Sequence, residues 1–100
     1  MTKNIVAVCD NEICKKELEK ACKYLGFIIK AEVQKDFKIK NEISIEEIKS
    51  SNVVLFAIDG TVEDIEKIER FIECEYYEVE PKFIIKDAKA IIDEIVSDIN

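Results

Sequence analysis

Apolar and polar positions change period within the first turn of the chain. Ile5 to Val8 is an unbroken apolar run that reaches Cys9. After Asp10 and Asn11, the apolar residues Ile13, Cys14, Leu18, Ala21, Cys22 and Leu25 recur at steps of three and four, while Lys15, Lys16, Glu19, Lys20 and Lys23 fill the other side. The first pattern predicts a buried strand and the second an amphipathic helix. The chain therefore opens on a βα unit, which Gly26 stops.

Three more alternations follow. Phe27 to Gln34 has the β-branched and aromatic content of a second strand, mixed enough for a sheet edge. Lys35 to Glu42 reads as a polar loop that lays Phe37 and Ile39 onto the body. Ser44 and Glu47 form a capping box that opens a short helix through Ile45 and Ile48 and ends near Ser50-Ser51. Val53 to Ile58 is the most continuous apolar run and predicts a central parallel strand buried on both faces. Asp59-Gly60 follows it, and Thr61 can cap a helix through Ile65, Ile68, Phe71 and Ile72. Glu75 to Val79 reads as a shorter strand broken at Pro81. Asp87 or a neighbour starts a last amphipathic helix bearing Ala88, Ile91, Ile92, Ile95 and Ile99. Four βα units predict an α/β three-layer sandwich: a four-stranded parallel sheet, flavodoxin- or Rossmann-like, with strand order 2-1-3-4 by right-handed crossovers.

Composition narrows the function. One hundred residues, 48% of them hydrophobic, are expected to form a single domain over residues 1–100, and two Gly and one Pro leave no linker or repeat. A net charge of −7 disfavours nucleic acid and anionic membrane surfaces as partners. No apolar run is long enough to span a membrane, and Met1-Thr2-Lys3 leads straight into strand, so a cytoplasmic location is expected. Cys9, Cys14, Cys22 and Cys74 lack the paired spacing of a zinc site and are expected to be reduced. The absence of histidine excludes a Cys–His or Ser–His nucleophile pair and a phosphohistidine within this chain.

Candidate chemistry gathers where the first strand meets the first helix. In open parallel sheets, reacting groups sit beyond the carboxyl ends of strands, beside helix N-termini whose free amides favour anions. Cys9 and Asp10 stand there. A helix N-terminus can activate a thiol, whereas a strand-end cysteine can equally be a buried structural residue. Cys14 and Cys22 fall in the apolar stripe and read as core.

Four passages carry a family resemblance: NIVAV, ELEKACKYLGFIIKAEVQ, IKNEISIEEIKSSNVVLFAID and ERFIECEYYEVEPKFII. Together they resemble the fructose-type IIB domain of the bacterial sugar phosphotransferase system from about Asn4 to Ile95. The middle passage is the most specific, with Ile39, Asn41, Glu42, Glu46 and Ile48 matching an Ile-x-Asn-Glu-Leu-Thr-x-Glu-Asp-Ile pattern. The resemblance implies a carrier that takes a phosphoryl group from a histidine of a IIA partner onto a cysteine. It then passes that group to sugar bound by a membrane IIC partner, with no cofactor needed. Carried onto this chain, Cys9 is the catalytic acceptor, and the backbone amides of Asp10, Asn11, Glu12 and Ile13 hold the phosphate. The family's signature loop, approximately Cys-Pro-Thr-Gly-x-Ala-His-Thr, is absent, and Cys9-Asp10-Asn11-Glu12 stands in its place. A phosphothiol there would meet Asp10 and Glu12, at on the order of 2–3 kcal/mol for each like-charge pair ~6 Å apart. Locally, VAVCDNE also resembles the acidic turn of response-regulator receiver domains. On that alternative, Asp10 and Glu12 would hold magnesium and Asp59 would accept phosphate. A third alternative is a non-catalytic interaction module on the IIB scaffold.

Overall fold

A computed structural model describes residues 3–99; Met1 and Thr2, read above as leading directly into strand, and Asn100 lie outside the described residues. Strand β1 (Asn4–Cys9) passes through Asp10 and Asn11 into helix α1 (Glu12–Leu25). Asn11 caps the helix in extended conformation by accepting from the Cys14 amide at 2.8 Å. Gly26, at φ 81°, closes it in the left-handed region, its N–H returning to the Cys22 and Lys23 carbonyls. Next come β2 (Ile28–Lys35), β3 (Lys38–Lys40), α2 (Ile45–Lys49), β4 (Val53–Ala57), β5 (Tyr77–Val79) and α3 (Pro81–Ile99). The predicted capping box of α2 is present, with Ser44 and Glu47 exchanging side-chain and backbone bonds.

The sheet has five strands in the order β3-β2-β1-β4-β5. Its four parallel strands, β2-β1-β4-β5, stand in the predicted 2-1-3-4 order. The fifth, β3, is antiparallel to β2 and corrects the expectation of a loop over Lys35 to Glu42. Lys35 faces Lys38, so Asp36 and Phe37 form a two-residue hairpin turn, at φ 54° and 63°. Such a turn favours Asn-Gly, and a non-glycine residue held at positive φ costs about 1 kcal/mol or more.

Alternate residues of β1 and β4 enter two cores. Ile5, Ala7 and Cys9, with Val53, Leu55 and Ala57, pack against α1 and α3; Val6, Val8, Val54 and Phe56 pack against Ile43, Ile48, Ile65 and Phe71 on the other face. The helix predicted after Thr61 is absent. Two 3-10 turns, Val62–Asp64 and Ile68–Phe71, take its place, with Lys67 between them at φ 57°. Thr61 bonds the Asp64 carboxylate rather than a backbone amide, so the helix start lacks its side-chain cap. Pro81 begins α3 instead of merely ending β5, and α3 is interrupted at Asp87, whose backbone is non-helical and whose carboxylate accepts from the Ala90 amide at 3.1 Å. Asp87 thus starts the second piece of α3, as its sequence position suggests.

Candidate functional site

The β1–α1 turn lies at the carboxyl end of the sheet. The Asp10 amide donates to the Ala57 carbonyl at 3.3 Å, extending the β1–β4 ladder by one bond. The two Asp10 carboxylate oxygens are both engaged: Oδ1 accepts from Asn11 Nδ2 at 2.9 Å and Oδ2 from the Asp59 amide at 2.9 Å. This carboxylate therefore ties the first strand's exit to the third parallel strand's exit. Of the four amides named above for phosphate, that of Asp10 is spent on the sheet, while those of Glu12 and Ile13 head the helix without a capping side chain, the Asn11 cap going to Cys14. Ile13 is 61% exposed, and Glu12 pairs with Lys40 at 3.8 Å.

Cys9 faces away from this turn. Its exposure is 0%, and it packs in the core beneath α1 with Cys14, Leu18, Val33 and Ala57. Burial pushes its thiol up to about 12, and Cys14 and Asp10 add to the rise. Cys14 is also held up by burial, and its sulfur donates to the Pro81 carbonyl at 3.6 Å. Burial likewise raises Cys22, to about 11. The structure thus brings Asp10, Asn11, Glu12 and Ile13 together on the surface and turns Cys9 inward. Asp10, Glu12 and Asp59 do not form a group able to hold a metal ion, and no such group of three or more His, Cys, Asp or Glu residues occurs among the described residues. No helix among the described residues is long and apolar enough to cross a membrane.

One polar centre escaped the sequence reading. Glu32, 0% exposed in β2, receives Arg70 through two charge-assisted bonds, Nη1 to Oε1 at 2.8 Å and Nη2 to Oε2 at 2.9 Å. The Ile43 amide donates to Oε1 at 2.9 Å, and Arg70 Nη1 also reaches the Ile43 carbonyl at 2.7 Å. Gln34 completes the cluster by bonding Glu32 and both backbone groups of Glu66. The available signal was a glutamate inside a strand whose neighbours Ala31 and Val33 are buried.

A mostly parallel sheet whose first strand turns directly into a helix defines a flavodoxin-like α/β domain, and comparison with known proteins narrows the class. No family model matches the chain. The fructose-like EIIB component 1 of the phosphotransferase system of Escherichia coli K12 is 28% identical over 102 residues, covering 95% of this chain and 92% of that protein. The solution structure of an enzyme IIB subunit from the same organism superposes with a TM-score of 0.87 at 27% identity, covering 99% of this chain and 95% of the other. A crystallised domain of the fructose-specific IIABC component of Borrelia burgdorferi gives 0.80 at 32% identity, covering 94% and 93%. The chain belongs to the fructose-type IIB family of the phosphotransferase system.

Proposed function

We propose that the chain serves a sugar phosphotransferase system as a IIB-type component that docks with its IIA and IIC partners without taking the phosphoryl group on Cys9. The supporting observation is the inward, fully buried placement of that thiol. With its pKa pushed up to about 12 by burial, the thiol is protonated at pH 7 and the nucleophilic thiolate is scarce. The approach from the turn is lined by the Asp10 carboxylate, already committed to two donors. The fructose-related sugar follows from the names of the relatives and belongs to the same proposal.

A second reading, phosphoryl transfer through Cys9, is favoured by one observation: the residue ends β1 and lies next to the amides that open α1. In that step the thiolate attacks phosphorus, the S–P bond forms, the P–N bond to the donor histidine breaks, and the proton lost by the thiol ends on the released imidazole. The two readings separate in one experiment. The protein is incubated with a phosphorylated fructose-type IIA domain and its intact mass measured beside Cys9→Ser. The docking reading expects no phosphoryl increment on either chain together with saturable binding to IIA. An increment on the parent chain that Cys9→Ser abolishes would establish the carrier.

A further inference from the structure

The two edges of the sheet are opposite in charge. At the β3 edge, Phe37 sits at the hairpin tip with 93% exposure, the most exposed large hydrophobic residue among those described. It lies at positive φ, so a strained backbone position carries a ring that contributes nothing to the core. Lys35, Lys38 and Lys40 flank it beside a cleft of about 510 Å³, and among the described residues only Lys40 has a carboxylate within ion-pair distance. With three lysines against the single carboxylate of Asp36 in the turn, this is a basic, aromatic knob on a chain of net charge −7.

At the other edge, β5 and α3 frame an open cleft of about 820 Å³. Its floor is apolar, from Tyr77, Val79 and the half-exposed Phe83, and its rim carries three carboxylates. Glu94 has no ion-pair partner among the described residues, Asp98 accepts from the Tyr77 hydroxyl at 2.7 Å, and Glu80 pairs with Lys82 at 3.3 Å in an exposed contact that a second lysine can join. We infer that the β3 hairpin of one copy of this chain docks against the β5 edge of another, with Phe37 entering the apolar cleft and Lys38 and Lys40 meeting its carboxylates.

Strand direction and the phase of the lysines both fit. Because β3 runs against the other strands, continuing the sheet with a second copy in the same orientation sets β3 antiparallel to β5. Phe37, which precedes β3, then arrives at the carboxyl end of β5, beside Glu80 and Phe83. Lys40 is paired with Val33, whose side chain packs in the core under α1 and α3, so Lys38 and Lys40 share that side of the sheet. Tyr77 and Val79 pack on the same core, and α3, which bears Glu94 and Asp98, covers that face, so the lysines and these two carboxylates lie on one side of the joined sheet, with Glu80 at the end of β5. The symmetric alternatives juxtapose like charges: β5 on β5, paired antiparallel about Val79, sets Glu78 against Glu80 of the second copy, and β3 on β3, paired about Ile39, sets Lys38 against Lys40. The contact is therefore head-to-tail and does not close on itself, so copies add in a row.

Sedimentation velocity tests this at about 0.15 M salt, where net repulsion is screened beyond about 8 Å, over concentrations up to ~1 mM, the weak end of specific affinity. The mean mass of the parent chain is expected to climb with concentration past that of a dimer. Phe37→Ala/Lys38→Gln and Glu80→Gln/Glu94→Gln should each stay monomeric with unchanged circular dichroism, since these side chains are exposed. Replacing Asp36-Phe37 by Asn-Gly, which suits the turn, gives a second knobless chain. Mixed in equal amounts, the knob-deficient and cleft-deficient variants should reach twice the monomer mass and stop there, because one intact edge remains on each. A parent chain that is monomeric at every concentration, association that stops at a dimer, a variant that still associates alone, or a mixture that stays monomeric overturns the inference.

Discussion

Cys9 and Glu32 are near neighbours across β1 and β2, where Val8 pairs with Glu32 and Cys9 with Val33. The thiol has burial and Asp10 working against its anion, with Lys15 opposing more weakly, so it stays protonated. Burial alone would also keep Glu32 neutral, yet the Arg70 bonds, the Ile43 amide and Gln34 outweigh it and hold the carboxyl below the usual range. Two expectations follow at this scale. In the native protein at pH 8, Ellman's reagent should titrate one cysteine quickly, Cys74, which is partly exposed; Cys74→Ser should leave the remaining three silent until denaturant is added. Arg70→Ala should lower the unfolding free energy in urea by about 3–5 kcal/mol, because it strands a buried carboxylate. Glu32→Leu/Arg70→Met should lose much less. The depressed Glu32 pKa also fixes a pH dependence. Its contribution is present above the unfolded value near 4.3 and is lost as pH falls through the lower folded value, so stability declines in acid below about pH 5. Urea midpoints measured across that range should fall more steeply for the parent than for the apolar pair.

At the scale of elements, legibility followed the local physics. Helix α1, the α2 capping box and β4 each combine a periodic pattern with a terminal signal, and each formed where expected. The segment after Thr61 carries Ile65, Ile68, Phe71 and Ile72 at helical spacing but folds as 3-10 turns. There Arg70 must reach Glu32, the Ile43 carbonyl and the Glu66 carbonyl together, and its Nε also returns to the Lys67 carbonyl. A tertiary ion pair decides the path, which no window of sequence encodes. The β2–β3 hairpin was hidden for the opposite reason, since its turn is Asp-Phe and lacks the glycine that marks such turns. Replacing Asp36-Phe37 by Asn-Gly should relieve both positive-φ positions and raise the unfolding free energy by about 1–2 kcal/mol in a denaturant titration. Of the site, the position of the strand-to-helix turn and the shaping role of Asp10 and Asn11 could be read. The bond from Asp10 to the Asp59 amide spans 49 residues and could not.

Across the whole molecule, the two faces of the sheet are covered unequally. One carries α1 packed on α3; the other carries the short α2 and the 3-10 turns, pinned by Arg70 and Glu32. Hydrogen exchange should therefore be slowest for the amides of Val6, Ala7, Leu55 and Phe56 and orders of magnitude faster from Gly60 to Glu75, where regular hydrogen-bonded structure is sparse. Equal protection of both regions would contradict this ranking. The same asymmetry places the charged cluster in the layer with least helix to hold it, which is why its loss in acid should be felt first on that face.

The alternation along β1, with Ile5, Ala7 and Cys9 to one core and Val6 and Val8 to the other, sets a parity that the chain must keep. Adding a single residue within Ile5 to Val8 would exchange the two sets and invert the sulfur's side of the sheet. Adding several between Asp10 and Asn11 leaves that parity intact, since α1 starts afresh at its own cap. The junction is thus a natural point for transplantation, where a longer glycine-bearing segment with its own cysteine could be grafted onto this scaffold without disturbing either layer beneath it.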